Sequence, residues 1–167
     1  MKNKILVTGA AGFIGFHLSK SLLSDNKMVL GIDNLNDYYS IKLKKNRLKQ
    51  LLNLQNFKFN QIDISNCNKL SNIFSEFKPD IVVNLAAQAG VRYSIENPFP
   101  YVNSNLVGFA NIIELCKKND VKGLIYASSS SVYGSSTILP FKESHNIDNS
   151  ISLYGATKRS NELIAQS

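Results

Sequence analysis

The chain has 167 residues, 44% hydrophobic and 19% charged, which suits one globular domain with a true core. Nine Gly and four Pro exclude a collagenous or Pro/Gly-rich chain, and the abundance of Ile, Leu, Val and Phe excludes intrinsic disorder. A net charge of +7 raises nucleic acid as a partner. Against it, Lys42, Lys44, Lys45, Arg47 and Lys49 fall in one segment, where Ile41, Leu48, Leu51 and Leu52 are spaced as one face of an amphipathic helix. The plainer reading is a solvated lysine face, and no zinc finger, RNP aromatic set or second basic stripe accompanies it.

In chain order the pattern alternates strand and helix. Residues 4–7 predict a short strand, and 13–23 a helix with Phe13, Ile14, His17, Leu18 and Leu22 at core-facing intervals. Residues 28–32 predict a strand, 40–52 the basic helix, 57–60 a weak strand, and 66–77 a helix capped by Ser65 or Asn66. Pro79 and Asp80 end it. The apolar run 81–85 is the kind buried on both faces of a parallel sheet. A long helix is expected within 97–118, after Pro98 and Pro100, followed by a fifth strand at 123–127. Residues 133–152 read as a polar loop and 152 onward as a last helix. Alternating strands and helices predict an α/β fold, a parallel sheet with helices on both faces.

Cys67 and Cys116 form no CxxC pair, so no metal site and no disulfide framework are expected, which fits a reducing cytoplasm. Lys2 and Lys4 before an apolar run mimic a signal peptide, but Gly9, Gly12 and Gly15 interrupt it. No run of 18 apolar residues exists. A soluble cytoplasmic protein without membrane or nucleic-acid partners is the expectation.

Two motifs carry chemistry. Gly9-Ala10-Ala11-Gly12-Phe13-Ile14-Gly15 follows the first strand and opens the first helix. Glycines there permit a tight turn and close approach to a pyrophosphate, and the helix N-terminus offers free N–H groups. Asp33 ends the second strand, 24 residues after Gly9, where an acid accepts ribose hydroxyls. It would repel a 2′-phosphate, and Asn34 supplies no cation to bind one, so NAD is favoured over NADP. The plainer alternative is a glycine turn with a solvent-facing Asp. The second motif is Tyr154-x-x-x-Lys158 on a helix, one turn apart on one face. A neighbouring ammonium lowers the pKa of a phenol from about 10 and makes it a base for an alcohol proton. Ser128-Ser129-Ser130-Ser131 follows the fifth strand, at the sheet edge where open α/β sheets bind ligands.

Together with Gly31-Ile32-Asp33-Asn34-Leu35, Asp63-Ile64, Asn84-Leu85-Ala86-Ala87 and Val132-Tyr133-Gly134, these motifs resemble the extended short-chain dehydrogenase/reductase superfamily, the nucleotide-sugar epimerases and dehydratases. The stretches 34–39 and 87–94 look most like UDP-glucuronate 4-epimerases. The resemblance implies a Rossmann-type, doubly wound, three-layer fold over 1–167, and an enzyme of polysaccharide biosynthesis. It implies that Gly9, Gly12, Phe13, Ile14 and Gly15 cradle the pyrophosphate of NAD and that Asp33 and Asn34 hold the adenosine ribose end. Asp63 and Ile64 would flank the adenine, and Leu85, Ala86 and Ala87 would line the cofactor path. Ser104 or Asn105 would add a polar contact. Tyr154 would be the base, Lys158 its partner and a ribose ligand, and Ser129 the hydroxyl bonded to the sugar.

In the 4,6-dehydratases an Asp–Glu pair stands where Ser130 and Ser131 stand here. Serine hydroxyls cannot do that acid–base work but can bond a sugar carboxylate, with Arg92 as a positive neighbour or simply a surface Arg. The implied reaction is C4 epimerisation of a UDP-sugar, most plausibly UDP-glucuronate to UDP-galacturonate, through a transient 4-keto sugar. UDP-glucose 4-epimerisation and 4,6-dehydration are the alternatives.

The chain ends nine residues after Lys158, whereas the family continues with further strands and a substrate domain. The resemblance therefore implies a cofactor domain without its substrate domain, inactive alone. An NAD-binding remnant, and a protein pairing through helices 98–118 and 152–166, are the other readings.

Overall fold

The computed structural model describes residues 3–145 and 147–167. Five parallel strands form one sheet in the order β3-β2-β1-β4-β5. They are β1 (Lys4–Thr8), β2 (Met28–Asp33), β3 (Phe57–Gln61), β4 (Ile81–Asn84) and β5 (Gly123–Tyr126). The helices are α1 (Phe13–Ser24), α2 (Ile41–Leu52), α3 (Cys67–Phe77), α4 (Val91–Glu96), the short α5 (Phe99–Tyr101), α6 (Phe109–Lys118) and α7 (Leu153–Gln166). This is the parallel α/β sheet that the alternating pattern predicts, in the doubly wound, Rossmann-type order that the family resemblance implies.

Side chains alternate across the sheet and build one core on each face. Leu6, Leu30, Ile32 and Val82 point to one side, where Leu70, Ile73 and Phe74 of α3 and Ile112 and Leu115 of α6 cover them. Ile5, Val7, Val29 and Val83 point to the other, against Phe16 and Leu23 of α1 and Leu51 of α2. Burial on both faces explains why the central strands read as unbroken apolar runs. Strand order reverses between β1 and β4, so the chain leaves their C-terminal ends toward opposite faces. A crevice opens there.

Three expectations change. In α1 the inward residues are Gly15, Phe16, Ser19 and Leu23, with Leu18 and Leu22 half-buried against the core. Phe13 and Ile14 are 67% and 61% exposed, and His17 is exposed. The helix springs directly from the glycine turn, so its first turn overhangs the strand ends instead of lying on the sheet. The helix expected within 97–118 is present as one helical run after Pro98, but it is not regular: α5 passes into a π-helix at Val102–Gly108, which passes into α6. Asn105 and Gly108 face inward from the π turn. Finally, β5 ends at Tyr126, one residue before the expected end, and the serine run winds into a 3₁₀ turn, Ser130–Tyr133, that ends where the expected loop begins. Asn66, the second of the two cap candidates, accepts the Lys69 N–H at the head of α3.

Phe74 is fully buried at the centre of one core. Phe74→Ala is expected to cost about 3–5 kcal/mol of unfolding free energy, measured by urea titration.

Candidate active site

At the end of β1, Gly9 turns the chain with φ +68°. A Cβ there would stand 2.9 Å from the Ala86 nitrogen, so both the backbone angle and the close approach of the β4 exit demand glycine. Gly12 donates to the Gly9 carbonyl at 2.9 Å and precedes α1 without any side-chain cap. The leading N–H groups of α1 are thereby left for an anion.

Asp33, almost fully buried at the end of β2, binds two backbone segments at once. Its Oδ2 accepts the Ala11 N–H at 3.1 Å and its Oδ1 the Leu35 N–H at 2.8 Å. The glycine turn is thus fixed to the second strand. Beside it, Asn34 Nδ2 donates to Asp63 Oδ2 at 2.7 Å, and Ser65 donates to Asp63 Oδ1 through both N–H and Oγ. Burial disfavours the Asp63 carboxylate, but these donors outweigh it and hold its pKa below the ordinary value.

These residues line a cleft of about 160 Å³ between the ends of β1, β2 and β4. Of the cofactor residues expected from sequence, Gly9, Gly12, Asp33, Asn34, Asp63, Ile64, Leu85, Ala86, Ala87 and Ser104 are on its wall. Phe13 and Ile14 lie outside it on the first turn of α1, and Gly15 is buried beneath the turn. Asn36, Tyr38, Tyr39, Lys44, Gln88 and Ala89 are on the wall unforeseen.

Lys44 corrects the reading of α2 as a wholly solvated lysine face. It is only 4% exposed. Its Nζ donates to Asn36 O at 2.8 Å and to Asn36 Oδ1 at 2.6 Å, and sits 4.5 Å from the Tyr39 ring centroid. Burial lowers its pKa, opposed by the fields of Asp33 and Asp37. Arg47, also turned inward, donates to Ala11 O and Tyr39 Oη at 3.3 Å each.

The YxxxK helix meets the serine run by way of Gly155. A Cβ at Gly155 would lie 2.7 Å from the Ser131 carbonyl oxygen, so glycine lets α7 rest on the 3₁₀ turn. Ser129 Oγ accepts the Ser131 N–H at 3.1 Å; its hydroxyl proton is committed to nothing in that bond. Ser130 is exposed and Ser131 half-buried. Ser128 donates to Glu162 Oε1 at 2.5 Å, holding the start of the run to α7. Lys158 is buried, and its Nζ donates to the Ala127 carbonyl at 2.9 Å. Burial brings its pKa down from 10.5 to about 8. Tyr154 is half-buried, with its ring edge-on to Tyr101 at 6.1 Å. Arg92 is exposed on α4 and is not on the wall of the cleft.

Asn105, buried on the inward face of the π-helix, ties the two halves together. Its Oδ1 accepts the Gln88 N–H at 2.8 Å, and its Nδ2 donates to Gln88 O and Thr157 Oγ1 at 3.0 Å each. Its own carbonyl accepts from Asn161 Nδ2 at 2.6 Å. The cleft wall at Gln88 and the helix of Tyr154 and Lys158 are therefore linked through one buried amide. Periodicity puts Asn105 on the buried face with Tyr101 and Ile112 but does not name these partners.

Fold and cleft define a Rossmann-type α/β protein with a glycine-walled cleft at its topological switch point. Residues 6–167 match the family described as GDP-mannose 4,6 dehydratase, and the chain belongs to that family. It is 56% identical to Protein CapI of Staphylococcus aureus over 97% of this chain and 48% of that protein. It is 49% identical to the UDP-glucuronate 4-epimerase of Thermodesulfobacterium geofontis over 96% of this chain and 49% of that one. Among solved structures, the UDP-glucuronic acid 4-epimerase of Bacillus cereus, in complex with UDP-glucuronic acid and NAD, superposes with TM-score 0.87 at 38% identity. The match covers 98% of this chain and 51% of that one. The chain spans about half the length of the curated relatives it matches. Among the described residues no helix is long and apolar enough to cross a membrane.

Two outcomes follow. Asn105→Ala strands the buried Gln88 and Thr157 groups and is expected to cost about 1–3 kcal/mol in urea titration. Lys158 loses its proton near pH 8 when folded and near 10.5 when unfolded. Between those values the unfolded chain binds more protons, so stability rises with pH. Relative to Lys158→Met, the wild type is expected to gain stability from pH 8 to 10.5 and to show no such gain below pH 7.

Proposed function

We propose that the chain carries the cofactor half of an NAD-dependent UDP-sugar 4-epimerase, with UDP-glucuronate and UDP-galacturonate as its pair of sugars. The observation that carries this reading is a cleft walled by Gly9, Gly12 and Asp33 at the C-terminal ends of the strands, tied through Asn105 to the Tyr154–Lys158 helix on which the serine run rests. Similarity to UDP-glucuronate 4-epimerases along nearly the whole chain supports it.

The residues present fit NAD. The side-chain-free surface of Gly9 and the uncapped start of α1 suit a pyrophosphate. Asp33 keeps lone pairs for ribose hydroxyls and opposes a 2′-phosphate. An ammonium has three N–H donors. Asn36 takes two of those on Lys44, and the third is available to the cleft beside Asp33. Bound NAD would supply the hydride acceptor and donor for C4.

The chain's own part is proton handling and positioning. Tyr154 would take and return the 4′-hydroxyl proton, with Lys158 one turn away favouring the phenolate. Ser129, whose oxygen already accepts a backbone N–H, would donate its proton to the sugar. Ser130 and Ser131 would bond the uronate carboxylate. No Asp–Glu pair stands there, which favours epimerisation over the dehydration in the family's description. Exposed Arg92 is left outside this set.

The test has two arms. The chain is expected to bind NAD, with Gly9→Val weakening it at least tenfold, about 1.4 kcal/mol. When the chain is joined to the C-terminal half of the Bacillus cereus enzyme, Tyr154→Phe is expected to lower UDP-glucuronate turnover by about 10²–10⁴-fold while NAD binding persists. A chain without NAD affinity, or turnover indifferent to Tyr154→Phe, overturns the reading.

A further inference from the structure

The cofactor reading leaves most of the protein's charge unused. Six of its nineteen basic residues lie between Tyr38 and Ile62, and none of its twelve acidic residues does. The rest of the chain holds thirteen basic and twelve acidic residues and is close to neutral. The +7 charge is therefore a property of one flank, not of the whole surface.

The structure sorts these six. Lys44 and Arg47 turn inward to the cleft. Lys42, Lys45 and Lys49 are exposed on α2 at i, i+3 and i+7, one stripe along the outer face, and Lys58 is exposed on β3, the edge strand. The elements packed against α2 are α1 and β3. Neither contains an Asp or Glu, and α1 adds the exposed Lys20. No carboxylate neutralises the stripe from its own helix or from its neighbours. Asp37 precedes the helix on the cleft side, where it faces Lys44.

A lysine stripe alone would be a solvated face. Here large apolar side chains border it in the open. Ile41 and Leu52 flank it on one side, Leu43 on the other, and Leu54 follows the helix end. These four are 38–56% exposed. Cationic side chains interleaved with exposed Leu and Ile suit a surface that is negatively charged and has hydrocarbon just beneath. A duplex nucleic acid satisfies the lysines and gives the leucines nothing.

We infer that the flank formed by α2 and β3 docks peripherally on an anionic phospholipid bilayer. The lysines lie at the headgroups, and Ile41, Leu43, Leu52 and Leu54 reach the acyl boundary. The cleft, on the inner side of the same helix, stays open to solutes. This reading is independent of the proposed activity.

Co-sedimentation of the chain with vesicles tests it. Binding is expected to vesicles of phosphatidylglycerol mixed with phosphatidylcholine, not to phosphatidylcholine alone, and to weaken with salt as the Debye length shortens to about 10 Å at 0.1 M. Lys42→Gln, Lys45→Gln and Lys49→Gln together should lower the partition constant about 100-fold, at roughly fivefold per lysine. Leu52→Gln with Leu54→Gln should lower it without changing the salt dependence. Lys69→Gln, Lys78→Gln and Lys117→Gln, which remove the same charge elsewhere, should leave it nearly unchanged. NAD binding and thermal unfolding check that each variant folds. Absence of binding to the anionic vesicles overturns the inference, as does equal loss from the two lysine triples. So does preferential binding to duplex DNA that ignores the leucine changes.

Discussion

The site depends on how β1 and β4 are held together at the point where they part. Thr8, fully buried at the end of β1, makes every bond a hydroxyl can make. It donates to Asn84 Oδ1 at 2.6 Å and accepts the Leu85 and Ala86 N–H groups at 3.0 and 2.9 Å. One residue later Gly9 lies against the Ala86 nitrogen. The hydroxyl draws the β4 exit inward, the absent Cβ lets it come, and the cleft is what remains between that exit and the end of β2. Asp33 then clamps the glycine turn from the other side. Shape at the switch point is set by buried polar bonds, with hydrophobic burial supplying only the platform beneath.

Much of this was legible because short stretches encode it. The glycine turn, the acid ending β2, the Asp63 position and the YxxxK spacing are local patterns, and the cleft wall holds most of the cofactor residues they nominate. A parallel sheet with helices on both faces followed from the alternation of apolar runs with helices. What stayed hidden is tertiary. Lys44 falls on the face of Leu48 and Leu51, so its inward turn follows the period of α2, but its partners Asn36 and Tyr39 show only in the packing. Asn105 lies on the buried face with Tyr101 and Ile112, and nothing local names Gln88 and Thr157 as its partners. The face of α1 was misread for a related reason: the helix hangs from its turn, so Phe13 and Ile14 pass beyond the sheet that would have covered them.

The two halves of the site are electrostatically unlike. Asp33 and Asp63 each accept backbone or side-chain donors, which on Asp63 hold the carboxyl pKa below its ordinary value, and Lys44 on the same cleft wall lies in the field of Asp33. Around α7, Lys158 is dehydrated against a carbonyl with no carboxylate bonded to it. A lysine in that state gives up its charge readily, unlike one held by an ion pair. The first environment suits holding a neutral ribose in a fixed pose. The second suits a cation that must influence a neighbouring phenol without being quenched by an anion. The Asn105 amide joins them, so a displacement of the cleft wall at Gln88 is carried directly to Thr157, the residue before Lys158 on the helix of Tyr154.

Helix α2 extends that division to the surface. Its inner edge places one lysine and one arginine where their charge is answered by Asn36, Tyr39 and the glycine turn. Its outer edge presents three exposed lysines, with no Asp or Glu on α2 itself or on α1 and β3 beside it. Repulsion among these cations weakens the helix slightly, and Ser40 at its head accepts the Leu43 N–H to offset part of that strain. Fold and cleft alone would be served by Lys44, Arg47 and the buried Leu48 and Leu51. The outer lysines and open leucines add nothing to either, so their concentration on one flank points outward, to a surface of opposite charge.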